Sequence, residues 1–499
     1  MKNFSLLHIS DLHRTQDYVS NEVLITSIEH VLDSYNGNDW RPSLIIVSGD
    51  LVQGSKSSDE AKVVEELDKQ YQEAGELLDE LTRIYLGGDR NKVVMIPGNH
   101  DVSFYHSRMS MKKEEPAAGQ DPIHYKKWLL KQMGVQRSRI RWSWQDFEFY
   151  HIVDESMYER RFEAFCRFYE NFYRGERRYT LAPGDQFDCY DFEDLNLVVI
   201  GYNSCHDNDH CNYSGAIHPD ALAKAERLLK GDKYRDRLRI AVWHHHTSGN
   251  PQKSDYMDNR TLQHLMRANF HVGMHGHAHI TGVAYEPSRI QSDQQMIVIS
   301  AGSLCAGGEE LPTGELRSFN VVQFDNESRK AIVDIYRDSM QGLAAFPTWI
   351  KHQQVVMNYY YPAETLTQSK QKETLHIHTK EMPSQDERIL QLVEAEQMIM
   401  ESQYDKALVI VGSLEKKDPY VRRLLMQCYQ GLHMHNEIIE LFTQPEPEGA
   451  EEIISLIRAA QASGRTDLLK EILQMEAIQE CDDHFVKQIV QKYRRFGAI

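Results

Sequence analysis

Five short patterns in this 499-residue chain hold residue types that bind divalent cations. They are Asp11-Leu12-His13, Gly49-Asp50, Gly98-Asn99-His100-Asp101, His244-His245-His246 and Gly276-His277-Ala278-His279. Any one of them alone says little, because a lone histidine at a strand end is usually a satisfied surface or core residue. As an ordered set they say more, since each follows directly on an apolar run. In an open α/β sheet the strand C-termini converge on one edge, where ligands bind, so these clusters would bring about eight ligating groups to one crevice.

Seven apolar runs must do the positioning: FSLLHIS from Phe4, SLIIVSGD from Ser43, KVVMIPGNHD from Lys92, LNLVVIGYNS from Leu195, RIAVWHHH from Arg239, FHVGMHGHAH from Phe270 and MIVISAGS from Met296. Their length and their Val and Ile content read as buried strands. Helical patterns lie between several of them, over Val19 to Tyr35, Asp59 to Tyr85 and Pro219 to Leu229. The last begins with proline after His218, which suits a first helical turn. Alternation of strand and helix implies an α/β fold. FNVVQF and KAIVDIYR, on either side of Asp325-Asn326, read as a hairpin that closes the domain.

The set resembles the calcineurin-like metallophosphoesterases, whose signature runs DxH, GD, GNH(D/E), a histidine after a later strand, and GHxH. The resemblance covers roughly residues 3 to 305. It implies an α/β/β/α sandwich around a dinuclear centre. Carried over position by position, one metal takes Asp11, His13 and His279. The other takes Asn99, His277 and a histidine of the triple, and Asp50 bridges both. Relatives carry HHPP or HHHP, with the ligand ahead of an x-Pro pair. Thr247 stands where that proline would be, which favours His245, with His244 second and the choice open. Two cations close together need a shared carboxylate to offset their repulsion. Mixed imidazole and carboxylate ligands suit Mn²⁺ first, with Fe or Zn²⁺ as alternatives, over Ca²⁺. The implied reaction is hydrolysis of a phosphate ester. His100 would bind phosphate or protonate the leaving group, and Asp101 would orient its imidazole. Arg14 and Asn99 are further candidates for substrate contact. A phosphodiesterase on a nucleotide or nucleic acid is expected. The alternatives are a phosphomonoesterase and a partner-binding scaffold with a regulatory metal site. Protein Ser/Thr phosphatases carry GDxxDRG and GNHE, and this chain departs from both at Leu51-Val52-Gln53-Gly54 and at Asp101.

His8, inside the first strand, and His275, ahead of the last pattern, read as core or bystander residues. The run from Asn203 to Cys211 packs many potential ligands, but too tightly in sequence for a tetrahedral zinc knuckle, so a substrate-facing loop with Asn203 and His206 is the better reading. Residues 104 to 180, rich in arginine and aromatics, read as a helical insertion over the catalytic face. The stripe Phe162, Phe165, Phe168, Tyr169, Phe172 has helical spacing and reads as core packing.

Residues 1–345 are thus expected to form the catalytic domain and 346–380 a linker. Beyond it, SQYDKALVIVGSL, MHNEIIELFTQ and GRTDLLKEILQM recur at roughly 30-residue spacing, the mark of stacked helical hairpins. Residues 381–499 therefore read as a helical repeat resembling tetratricopeptide repeats, a surface for a protein partner. A net charge of −18 argues against a nucleic-acid-binding coat over the whole surface, though not against a local basic groove. Seven cysteines, odd in number and without a CxxC, argue against a disulfide framework and for a reducing compartment. There is no apolar leader at the start and no run of the ~20 apolar residues a membrane helix needs. The expectation is a cytoplasmic protein without membrane partners.

Overall fold

The computed structural model describes residues 3–15, 19–35, 40–133, 138–143, 146–248, 255–287, 295–307, 310–312, 314–339, 346–359 and, with short breaks, 391–493. It divides into two compact units, 1–375 and 376–499.

In the first unit the strands are β1 (Phe4–Ile9), β2 (Leu44–Val47), β3 (Val93–Met95), β4 (Met111–Lys113), β5 (Ile140–Ser143), β6 (Glu148–Ile152), β7 (Phe187–Phe192) and β8 (Leu197–Tyr202). They continue with β9 (Leu238–Val242), β10 (Val272–His275), β11 (Gly282–Pro287), β12 (Gln295–Ser300), β13 (Ser318–Asp325), β14 (Lys330–Asp338) and β15 (Trp349–Asn358). One six-stranded sheet runs β15-β14-β13-β1-β2-β3 and another runs β11-β12-β10-β9-β8-β7. The centre of each is parallel, β1-β2-β3 in the first and β8-β9-β10-β12 in the second.

Side-chain alternation shows how the sheets stack. Val199, Ile240, Val242, Val272, Met274, Ile297 and Ile299 join one core with Leu6, Ile46 and Val94 of the first sheet. Their neighbours Val198, Ile200, Ala241, Trp243, Met296 and Val298 belong to a separate core on the opposite face. Successive strand residues point to opposite faces, so the second sheet has one face on the first sheet and the other under helices. This explains why these runs are apolar at every position rather than at alternate ones. Burying each such side chain contributes about 1.5–3 kcal/mol. Ile240→Ala, which opens a hole between the sheets, is expected to cost about 2–5 kcal/mol by denaturant titration.

Helices α1 (Asn21–Leu32) and α2 (Glu60–Tyr85) come from the expected segments. Ser20 and Asp59 cap them by accepting from the amides of Val23 and Lys62. In α2 the residues Val63, Leu67, Tyr71, Ala74, Leu78, Leu81 and Tyr85 form a buried stripe at 3–4-residue spacing.

Residues 104–180 differ from the expectation of a helical insertion. Helices α3 (Phe104–Met109), α4 (Pro122–Met133), α5 (Glu155–Glu159) and α6 (Glu163–Phe172) are present, but β4, β6 and β5 form a three-stranded antiparallel sheet among them. Isolated hairpins are marginal. This one gains a partner when Phe149 and Ile140 pack on Leu129 of α4. The aromatic stripe is core, as read: Phe162, Phe165, Tyr169 and Phe172 are buried, and Phe168 stacks on Tyr71 of α2 at 4.9 Å. Helices α7 (Pro219–Leu229) and α8 (Asn259–Arg267) complete the unit. The hairpin expected around Asp325-Asn326 is β13–β14. Part of the expected linker is instead strand: β15 pairs antiparallel with β14. The remainder, 360–380, lies outside the described residues.

The second unit is helical, with helices at Tyr404–Val411, Pro419–Gly431, His435–Thr443, Ala450–Ala462 and Thr466–Leu473. Leu424, Leu425, Phe442, Leu456, Ile457 and Leu473 lie in its own core. All seven cysteines are free. Among the described residues no helix is long and apolar enough to cross a membrane.

Candidate metal centre

Each pattern sits in the loop directly after a strand: Asp11 and His13 after β1, Asp50 after β2, Asn99 and His100 after β3, His244 after β9, and His277 and His279 after β10. Backbone hydrogen bonds lock these loops together. The amides of Asp11 and His13 donate to the carbonyls of Gly49 and Asp50 at 3.0 Å each, and Gly276 donates to His244 at 3.1 Å. Five of the residues, Asp11, His13, Asp50, His277 and His279, have φ between 41° and 73°. Non-glycine residues seldom hold that left-handed conformation, and clusters of it mark functional sites. Gly98 and Gly276 are obligatory for a different reason, because a Cβ at either would collide with the Asp50 or Asp11 carboxylate.

Two groups of potential ligand atoms converge. In one, Asp11 Oδ1 faces His279 Nε2 at 3.3 Å and His13 Nε2 at 3.8 Å, and His13 Nε2 lies 3.1 Å from His279 Nε2. In the other, His244 Nε2 lies 3.2 Å from Asp50 Oδ2 and 2.9 Å from Asn99 Oδ1, while His277 Nδ1 is 2.8 Å from that same oxygen. Asp50 Oδ2 also reaches His13 Nε2 at 3.9 Å, on the side of the first group. Ligands about 2.0–2.2 Å from a shared cation sit about 3 Å apart when at right angles, and these separations match that spacing. Buried Asp11 Oδ1 has no hydrogen-bond donor, a costly state that a cation relieves. The donor set therefore fits a pair of divalent ions.

Electrostatics agree. Burial opposes the charge of Asp50, but the histidines around it, His244 first, hold it well below the usual carboxylate range. Burial lowers His13 to about 3 and His277 to about 4, leaving neutral imidazoles with lone pairs to offer. Burial also works against a proton on His244, yet the Asp50 carboxylate outweighs it and pushes the group to about 9. A proton there and a cation there answer the same negative field.

Three expectations need correction. His245 was favoured over His244, but it is His244 that faces the crevice. His245 is turned away, its Nδ1 at 2.9 Å from Ser204 Oγ and its Nε2 at 3.2 Å from the carbonyl of Tyr213. Ser204 Oγ already accepts from two backbone amides, so its hydroxyl donates to Nδ1 and both ring nitrogens of His245 are used. Asp101 does not orient His100. Its carboxylate accepts from the amides of Gly98 and Leu51 and from Tyr71 Oη. Burial, with Asp50 adding repulsion, pushes it up to about 7. The orienting group for His100 is the carbonyl of Gln53, 2.9 Å from Nδ1. A carbonyl only accepts, so Nδ1 carries the proton and Nε2 is the free nitrogen. Arg14 is 3% exposed and donates to the carbonyl of Val19, so it is enclosed rather than open to substrate.

His8 and His275 are buried away from the cluster, against Ser48 and Trp243. Asn203 is buried against Gln186. Both carboxylate oxygens of Asp209 are taken, by Arg141, Tyr158 and two amides, which leaves none for a zinc ion beside His210 and Cys211.

Sequence reading missed the groups that position the crevice histidines: Ser48 and Glu310, whose carbonyls lie 2.9 and 3.0 Å from the Nδ1 atoms of His244 and His279, and Ser204, whose hydroxyl accepts the His244 amide. Metal-binding histidines usually need such partners. Backbone carbonyls leave no mark on residue type, so only Ser204, at the end of β8, could have been suspected.

The family model for calcineurin-like phosphoesterases matches residues 4–281. No curated protein matches the chain. Among solved structures, the chain is similar to a purple acid phosphatase from yellow lupin (Lupinus luteus) seeds, at 9% identity and a TM-score of 0.37 over 77% of this chain and 57% of that one. It thus spans little more than half of the lupin protein's length. It is also similar to Vps29 from Entamoeba histolytica (9%, TM-score 0.28, 71% of this chain and 99% of that one). A third likeness is to the calcineurin-like phosphoesterase YfkN from Bacillus subtilis (13%, TM-score 0.25, 74% and 96%). With the family model spanning more than half of its residues and every motif of the crevice inside that span or at its edge, the chain belongs to the calcineurin-like phosphoesterase family.

Proposed function

We propose that this chain is a metal-dependent phosphodiesterase acting on a nucleotide or nucleic acid. The observation that carries the reading is the convergence of imidazole nitrogens, two carboxylates and an amide oxygen at the spacing of ligands around a shared cation. Asp11, His13 and His279 would hold one cation, and Asn99, His244 and His277 the other, with Asp50 shared. When bound, two divalent ions, Mn²⁺ first with Fe or Zn²⁺ as alternatives, supply Lewis acidity toward a phosphoryl group and lower the pKa of water.

The chain's own residues do the rest. Asp50 would offset the repulsion between the cations. It also accepts the His100 amide at 2.8 Å, which fixes the loop that carries Asn99. His100 is pinned by Gln53 with Nε2 free, and its ring stands 4.6 Å from His13. That nitrogen is suited to bind a phosphoryl oxygen or, when protonated, to donate to a departing alkoxide. Asp101 is a positioning residue, since its hydrogen bonds tie the β2 and β3 loops to α2.

Support for a diester comes from the departures from the protein phosphatase motifs at Leu51–Gly54 and Asp101. The second unit is proposed to bind a protein partner as a tetratricopeptide-like repeat, and the protein to work in the cytoplasm.

Elemental analysis and hydrolysis of bis-p-nitrophenyl phosphate and p-nitrophenyl phosphate with Mn²⁺ test the assignment. The expected result is close to two metal equivalents, faster turnover of the diester, and loss of both in Asp50→Asn. Normal turnover by Asp50→Asn would overturn the metal-centred reading, and preference for the monoester would replace it with a phosphomonoesterase.

A further inference from the structure

The geometry points to a subsite for a planar aromatic ring on the insertion side of the metal centre, formed by Tyr213 and Phe104 with Arg108 beside them. It rests on the phosphodiesterase reading and deepens it, because it makes the substrate a nucleoside ester rather than an ester of an aliphatic alcohol.

Phe104 opens α3, only five residues after Asn99. Its ring is half-buried against Val102, Phe162 and Cys205, which fixes it. Tyr213 meets it edge-on, with ring centroids 6.1 Å apart and planes at 68°. Tyr213 is 44% exposed although Phe104 holds it.

The segment that carries Tyr213 is anchored to the centre itself. Its carbonyl accepts from His245 Nε2, and the His245 ring lies 4.8 Å from that of His277. Two residues on, Gly215 passes so close to His245 that a Cβ would collide with that ring. The aromatic platform is therefore tied by one hydrogen bond to the histidine that backs the cluster, with little freedom to drift away from it.

Arg108 supplies charge. It is exposed on α3 and, among the described residues, makes no ion pair. It lies four residues after Phe104, one turn further along the same face of α3. Most arginines of the insertion are committed, such as Arg141 to Asp207 and Asp209, and Arg160 to Glu60 and Glu163. An uncommitted guanidinium one helical turn from Phe104, which itself meets the exposed Tyr213, suits a base flanked by a phosphate: the base would stack on Tyr213, and Arg108 would take the next anionic group.

Two esters with the same leaving group test this: thymidine 5′-(p-nitrophenyl phosphate), which carries a base, and methyl p-nitrophenyl phosphate, which does not. With Mn²⁺, wild type should favour the thymidine ester in kcat/KM by about ten-fold or more, the scale of one stacked base. Tyr213→Ala should collapse that ratio towards one through KM, Tyr213→Phe should keep it, and Arg108→Gln should lower it when the thymidine ester also carries a 3′-phosphate. An unchanged ratio in Tyr213→Ala, with both esters turned over, overturns the subsite and leaves the diesterase standing. Turnover of neither ester by wild type is the failure of the diesterase reading. Calorimetric binding of thymidine 5′-monophosphate to wild type and Tyr213→Ala then decides the subsite by itself, equal affinities ruling it out. Metal content and thermal unfolding of the variants show that they are folded and loaded.

Discussion

Two regions of the first unit are rich in buried histidine and differ in almost everything else. At the crevice edge, His13, His244, His277 and His279 point ring nitrogens at carboxylates, an amide oxygen and one another. Behind it, His8, His245, His271 and His275 are just as buried, but their hydrogen bonds go to hydroxyl and backbone groups and, among the described residues, none to a carboxylate: Ser48 for His8, Ser204 and Tyr213 for His245, the Arg239 amide for His271 and the Gly276 carbonyl for His275. Burial alone therefore does not identify a ligand. What distinguishes the edge is that its imidazole nitrogens converge on carboxylates and an amide oxygen at ligand spacing, where a proton and a cation compete for the same negative field.

The largest expected effect separates neighbours across that boundary. His244→Ala removes a nitrogen that lies 3.2 Å from Asp50 and should lower turnover by about 10³-fold, with loss of about one metal equivalent. His245→Asn removes a ring that only supports the cluster. It should keep both equivalents and lose no more than about 10–100-fold. Metal analysis beside diester hydrolysis reads both, and reversal of the two outcomes would return the ligand role to His245.

His100 comes next. Its Nδ1 is held by Gln53, so its free nitrogen belongs to the edge, yet it is the one edge histidine with no place in the proposed ligand sets. His100→Ala should keep both metals and lower kcat by about 10²–10³-fold, within the range of general acid catalysis. The loss should shrink for an ester whose leaving group needs no proton. Loss of metal in this variant would make it a ligand instead.

The boundary between the two sets was only partly legible in the sequence. All five patterns sit at strand ends in the structure because a run such as LIIV followed by Ser-Gly-Asp fixes where a buried strand stops and a polar loop starts. Which of three adjacent histidines turns inwards depends on Ser204 and on the loop through Tyr213, both about 30–40 residues away in sequence, and no local pattern encodes that. The insertion shows the same limit. The stripe from Phe162 to Phe172 was readable because helical spacing is local. Strands β4, β5 and β6 were not, since Ile140 to Ser143 and Glu148 to Ile152 are too short to declare a period and gain stability only by packing on α4 and on Tyr158 of α5. β15 was hidden likewise by its exposed edge position, where Lys351, His352, Gln353 and Gln354 resemble linker residues.

The smallest effect concerns the histidines behind the edge, and it is read in stability rather than rate. His271 lies at the start of β10, far along the strand from His275, and its Nδ1 accepts the Arg239 amide at 3.0 Å. Burial, with the neighbouring Arg239 charge adding to it, lowers the group from its ordinary 6.5 to about 3. As pH falls below about 6.5 the unfolded chain takes a proton at this position and the folded chain does not. The stabilisation is therefore complete above the unfolded value and declines as pH drops towards the folded one, by about 1.4 kcal/mol per pH unit once well below 6.5. Between about pH 7.5 and 5.5 the single group accounts for about 1.4 kcal/mol. His271→Asn keeps an acceptor for the Arg239 amide and has nothing to protonate. Urea unfolding at the two pH values should show that variant losing less stability than wild type by that amount, with diester hydrolysis at neutral pH unchanged. Parallel pH dependences would mean that His271 is protonated in the folded chain, and the contrast between histidines that face carboxylates and histidines bonded to hydroxyl and backbone groups would fail at this member.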